Sequence, residues 1–121
     1  MRRFAFAALL LSLSLSACSG FGFEGLDFGD PYSLAPGGAP TLDGATVTLP
    51  VAYDGGCEEH EFRLRSTVTS NNAEVWFQHD ANGDDCERRV EATATADLPS
   101  NVQEATSITL ALPNGIRLRL R

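Results

Sequence analysis

From Ala45 onward, apolar residues recur at every second position, in short runs parted by turn residues. No other feature of the chain restricts its fold so strongly. Successive side chains of a strand point to opposite faces, so period two means one buried face and one solvated face. Val47, Leu49, Val51 and Tyr53 alternate with Thr46, Thr48, Pro50 and Ala52. Phe62, Leu64 and Val68 alternate with Glu61, Arg63, Arg65 and Thr67. Val75 and Phe77 share a side of the next run, and Arg88, Val90, Ala92 and Ala94 continue one face of the run after it. Ile108, Leu110 and Leu112, then Ile116, Leu118 and Leu120, complete the set. The runs are broken at Asp54-Gly55-Gly56, Asn71-Asn72, Asn82-Gly83, Leu98-Pro99-Ser100-Asn101 and Pro113-Asn114-Gly115, residues that favour turns. About six strands with short connections and no helix of useful length predict an all-β fold. The expected architecture is a small antiparallel β-sandwich or barrel over residues 42–121.

The start of the chain obeys a different pattern. Met1-Arg2-Arg3 is followed by an apolar stretch from Phe4 to Leu15. That is shorter than the ~20 residues a membrane-spanning helix needs, and its length and flanks are those of a signal peptide. It closes on Leu15-Ser16-Ala17-Cys18. This tetrapeptide resembles the lipobox of bacterial lipoproteins: an aliphatic residue, two small ones, then cysteine. The resemblance covers the first eighteen residues. It implies cleavage of residues 1–17, lipid on the sulfur of Cys18 and an anchor in the membrane; two or more acyl chains give stable attachment. It also places the protein in the bacterial cell envelope. Ser19 follows the cysteine in place of an inner-membrane aspartate, so the outer membrane is expected by analogy.

Of 121 residues, loss of the 17 before Cys18 leaves 104, room for one small domain. Arg2 and Arg3 leave as well, taking the formal charge from −7 to −9. So acidic a chain is unsuited to nucleic-acid phosphates and to electrostatic binding of anionic lipid. Its membrane contact is expected through the lipid, and its partner is expected to be another envelope protein or a glycan. Residues 18–41 are rich in Gly and Pro and hold no period, so they read as a flexible tether. Phe21, Phe23, Phe28 and Tyr32 sit oddly in a tether. Trp76 is placed on the face opposite Val75 and Phe77, where it either stacks on a ligand or is covered by a sheet or loop.

Chemistry concentrates in Gly55-Gly56-Cys57-Glu58-Glu59-His60-Glu61-Phe62 and in His79-Asp80-Ala81-Asn82-Gly83-Asp84-Asp85-Cys86. The spacing resembles small exported lipoproteins of unknown function and brings no activity with it. A two-residue hairpin turn at Asn82-Gly83 would set His79 opposite Cys86, with Cys57 and His60 folding toward them. Three readings stand side by side. With Cys18 assigned to lipid, Cys57 and Cys86 are an even pair in an exported chain and suit a disulfide. Cys57, His60, His79 and Cys86 have the ligand types of a zinc site. Asp80, Asn82, Asp84 and Glu91 match calcium-loop positions, though Asp85 stands where that loop requires Gly. No nucleophile elbow, phosphate loop or H-E-x-x-H is present. Glu58, Glu59 and Glu61 read as a solvated face. The expectation is a domain without catalytic activity or cofactor.

Overall fold

The computed structural model describes residues 25–121. The expected signal peptide, the expected lipobox and Cys18 lie outside these residues. The regular structure of the described chain is nearly all β: β1 Ser33–Leu34, β2 Thr41–Asp43, β3 Thr46–Gly55, β4 Glu61–Thr69, β5 Asn72–Asp80 and β6 Arg88–Asp97. One helical turn, α1 (Ser100–Gln103), precedes β7 (Ser107–Ala111) and β8 (Arg117–Arg119). The six runs foreseen from the alternation are β3 to β8. The two short strands β1 and β2 come from the segment before and around residue 41.

Two four-stranded sheets face each other. In one, β3 carries β6 along one edge and β1 and β2 end to end along the other. The second runs β4-β5-β7-β8. All neighbours are antiparallel except β5 and β7, which are parallel. That exception follows from β6, which lies in the other sheet and brings the chain back to the end of the sandwich where β5 begins, so that β7 sets out in the same direction as β5. Between the sheets lie Val47, Leu49 and Val51 of β3, Val75 and Phe77 of β5, and Ile108 and Leu110 of β7, all fully buried. Each such side chain is worth roughly 1.5–3 kcal/mol in transfer free energy. Leu98, Val102 and Ala105 close one end of this core.

Asn82-Gly83 does turn, with φ of 52° and 74° and a hydrogen bond from Asp84 N to Ala81 O at 3.0 Å. It does not make the expected hairpin. β5 pairs with β4, and β6 pairs with β3 in the other sheet. Both edges of β5 are taken, one by β4 and the other by β7 followed by residues 28–30. The chain leaving the turn therefore crosses to the second sheet. His79 lies opposite Phe62, not Cys86.

The β-domain also starts before residue 42. Of the expected tether, residues 25–41 are described, and they pack on the sheets. β7 covers β5 only as far as Val75; beyond it, Phe28 O accepts from His79 N at 2.9 Å and Asp30 N donates to His79 O at 2.8 Å. Gly29 makes this approach possible: its φ is 69° and a Cβ there would collide with the His79 carbonyl. Tyr32 is only 7% exposed and donates its hydroxyl to Phe77 O at 2.6 Å. Trp76, 6% exposed, donates Nε1–H to Asp27 O at 3.0 Å. The aromatic side chains supply apolar area that the Gly and Pro content of this segment conceals.

Candidate functional site

At the end of the sandwich away from α1, two links cross between the sheets. One runs from β3 to β4 and carries Cys57 and His60; the other runs from β5 to β6 and carries Asp84 and Cys86. A disulfide joins Cys57 to Cys86, with α-carbons 5.9 Å apart and a sequence separation of 29. The bridge expected from cysteine parity therefore ties one crossover to the other. Once it forms, Asp84 and His60, two and three residues from its cysteines, must lie near each other.

Asp84 organises the crossovers. Its Oδ2 accepts from Cys57 N at 3.1 Å, Glu58 N at 3.0 Å and His60 Nε2 at 2.8 Å, while Oδ1 accepts from Cys86 N at 3.0 Å. The hydrogen bond from His60 is the main cause that holds its carboxyl well below the usual range; backbone N–H groups add to it and burial opposes it. His60 Nδ1 lies 2.7 Å from His79 Nε2, and His79 Nδ1 faces the carbonyl oxygens of Asp30 at 3.0 Å and Pro31 at 3.2 Å. A single line of hydrogen bonds thus runs from carboxylate through two imidazoles to the backbone of the N-terminal segment. Burial, above all, pushes His79 below its ordinary value of 6.5. The nearby charge of His60 adds to this, and the Asp30 and Pro31 carbonyls oppose it.

The line is sealed. The side chains of His60 and Asp84 are 1% and 0% exposed, and His79 is 2% exposed. Tyr53 stacks on His60 with ring centres 4.2 Å apart, and Phe62 stacks on His79 at 4.4 Å with planes 3° from parallel. Tyr32 meets His79 edge-on at 5.8 Å. From below, Gly55 leaves the needed room: a Cβ there would sit 2.6 Å from His60 Nε2 and 2.8 Å from Asp84 Oδ2. A small cavity of about 190 Å³ touches His79 and Asp84 and is otherwise lined by Asp30, Pro31, Asp54 and Ala81. Among the described residues, no buried side-chain nitrogen or oxygen lacks a hydrogen-bond partner.

This geometry decides among the metal readings. Cys57, His60, His79 and Cys86 do come together, but the sulfurs are bonded to each other and are not thiolate ligands. The imidazole nitrogens are engaged with each other, with Asp84 and with carbonyls. The calcium set does not converge. Asp80 Oδ1 accepts from Asn82 N at 2.8 Å, the Asn82 amide reaches Glu59 O, and Asp84 is fully engaged at the crossovers. Glu91 sits on β6 opposite Ala52. Glu58, Glu59 and Glu61 are exposed, as a solvated face should be. Asp84 as the keystone was not foreseen; its nearness to Cys86, which Asp85 shares, was the one hint in the sequence.

No family model matches the chain, and no curated protein matches it. Among solved structures, the fold is similar to that of a NigD-like immunity protein from Bacteroides caccae, with a TM-score of 0.56 and 15% identity. The match covers 75% of this chain and 49% of that one, so the chain spans about half the length of its neighbour. At that identity the likeness is one of fold.

Proposed function

We propose that the chain is a lipid-anchored lipoprotein of the bacterial envelope whose β-domain is a structural or interaction module without catalytic activity. One observation carries the second half of this reading. The densest chemistry in the described chain, Asp84 with His60 and His79, is sealed from solvent and spends its donors and acceptors on the fold itself. A general base has to reach the proton it removes, and the nitrogens of these rings are taken up by one another, by Asp84 and by the backbone. The first half rests on the Leu15-Ser16-Ala17-Cys18 lipobox, and the disulfide is in keeping with an oxidising compartment. The neighbour's description as an immunity protein supports a role exerted by binding. The partner in this reading is another envelope component, protein or glycan.

Two experiments test it. Intact mass of membrane-extracted protein should show loss of residues 1–17 and added acyl mass on Cys18, and Cys18→Ala should leave the membrane fraction. A Cys18→Ala chain still firmly bound to the membrane would overturn the anchor. Crosslinking in the native envelope should then recover one specific partner for the anchored chain. Turnover in an activity screen that vanished with His60→Ala would replace the interaction reading with an enzymatic one.

A further inference from the structure

We propose that Asp84, His60 and His79 form a proton-counted clasp: a buried line of three hydrogen bonds that closes only when the two imidazoles share three ring hydrogens. Two neutral rings carry one hydrogen each, so the clasp holds one in excess.

The count follows from the partners. His79 Nδ1 faces the Asp30 and Pro31 carbonyls, which only accept, so it carries a hydrogen. At the other end His60 Nε2 faces Asp84 Oδ2, which already accepts from two backbone amides and is therefore the ionised acceptor. His60 Nε2 must carry a hydrogen too. Between the rings, Nδ1 of His60 and Nε2 of His79 are 2.7 Å apart. With no hydrogen there, two lone pairs would face each other; with two, hydrogen would be driven into hydrogen. One hydrogen fits. The rings together then carry one positive charge, Asp84 one negative, and the buried unit is neutral, which is the condition under which charge is tolerated away from water.

Other ionisable groups surround the clasp without entering it. Asp30 and Tyr32 face it from the N-terminal segment, Tyr53 and Asp54 from β3, Arg63 from β4 and Asp80 from the end of β5. Asp30 Oδ2 accepts from Ala81 N at 2.7 Å, Asp80 Oδ1 from Asn82 N, and Arg63 pairs with Glu61 at 3.3 Å.

The clasp joins three stretches of chain: the N-terminal segment that leads back toward Cys18, and both crossovers. It therefore makes their cohesion depend on pH in two directions. Adding a fourth hydrogen parts the rings. Removing the third leaves a buried nitrogen or carboxylate oxygen without its donor. The downward push on His79 fits the first limit, because the folded chain then refuses a hydrogen that the unfolded chain accepts. Stability is lost as pH falls below 6.5. Above that value the folded chain keeps a hydrogen that the unfolded chain gives up, so stability is lost as pH rises.

The test uses the wild-type, full-length chain, labelled with nitrogen-15 and held in detergent. The chain has two histidines, so long-range proton–nitrogen spectra resolve the ring nitrogens of both. At about pH 7, three of the four should be protonated, and the thermal midpoint should pass through a maximum between acid and alkaline limbs. Two protonated nitrogens, or four, would overturn the clasp, as would a midpoint that changes in one direction only across the histidine range.

Discussion

The two ends of the sandwich are closed by opposite means. At the α1 end, Leu98, Val102 and Ala105 fill the gap between the sheets with apolar atoms. Arg121 lies over them and donates to Gln103 O at 2.6 Å and Ala105 O at 2.8 Å. At the crossover end, a disulfide, a carboxylate and two imidazoles do the same job with polar atoms. An apolar plug is non-directional and indifferent to pH and redox state. The polar end holds only while the sulfurs stay oxidised and the hydrogens stay in place. The lesson is that one small core can have an unconditional end and a conditional one. The conditional end is the one that receives the segment leading back to the expected anchor.

Removing the bridge is the strongest way to break this contrast. Closing a loop of this length is worth about 3.5 kcal/mol in the chain-entropy model. For a domain near 100 residues that corresponds to a fall in Tm on the order of 15–25 °C. Calorimetry of the Cys57→Ala, Cys86→Ala double variant should show this fall while the circular dichroism spectrum stays β-type. An unchanged midpoint would mean that the crossovers are held by Asp84 and the histidines alone.

The plug should respond by a similar amount but with a different signature. Leu98→Ala is expected to cost about 2–5 kcal/mol, set by how far the cavity collapses. Chemical denaturation should return the same loss with and without reductant, and the same loss on either side of pH 6.5. The two ends share no partners, so this cost should add to that of the missing bridge. A cost that changed with pH would show that the ends are coupled through the sheets.

The alternation made the layered β-fold and each of the long strands legible, because burial of one face is a local property of the sequence. Pairing was less legible. Asn82-Gly83 has the right backbone for a hairpin, yet the edge it would need on β5 is occupied by β7 and by residues 28–30, which are distant in sequence. The same long-range contact hid the domain start: Phe28 and Tyr32 were visible as odd aromatics, but the surfaces they cover belong to other strands. At the site, cysteine parity pointed to the bridge and brought both histidines near it. Asp84 was one of 16 acidic residues, and its nearness to Cys86 is shared with Asp85. Only the crossing of two links at one point selects it.

Gly55 offers a sharper cut into the conditional end. Its missing Cβ leaves the space beside His60 Nε2 and Asp84 Oδ2, and the inserted methyl of Gly55→Ala must push the pair apart. Overpacking of this kind costs about 1–3 kcal/mol. The cost should shrink as pH falls below 6.5, where the wild-type clasp is itself weakening, and should be absent from any measure of the α1 end. Hydrogen exchange resolves the two: protection should drop at Cys57, Glu58 and Cys86 amides and persist at Ile108 and Leu110. Uniform loss of protection would count against separate ends.

The smallest effect at neutral pH is expected at Tyr32, and it sharpens the contrast from the alkaline side. Its hydroxyl donates to Phe77 O in a buried setting. Tyr32→Phe leaves that carbonyl without this donor, a loss of roughly 1 kcal/mol. Burial raises the phenol above its ordinary value of 10.0, with the hydrogen bond to Phe77 acting the other way. The folded chain therefore keeps the neutral phenol while the unfolded chain ionises. Stability from this source is whole below pH 10 and declines as pH rises beyond it, because the unfolded state then binds fewer protons than the native one. Denaturation of wild type and Tyr32→Phe should thus give curves offset slightly at neutral pH that converge and then cross above pH 10, as wild type loses what the variant never had. Parallel curves through that range would show that Tyr32 ionises without opening the fold, and that the N-terminal segment is held on β5 by its remaining contacts with Trp76 and His79.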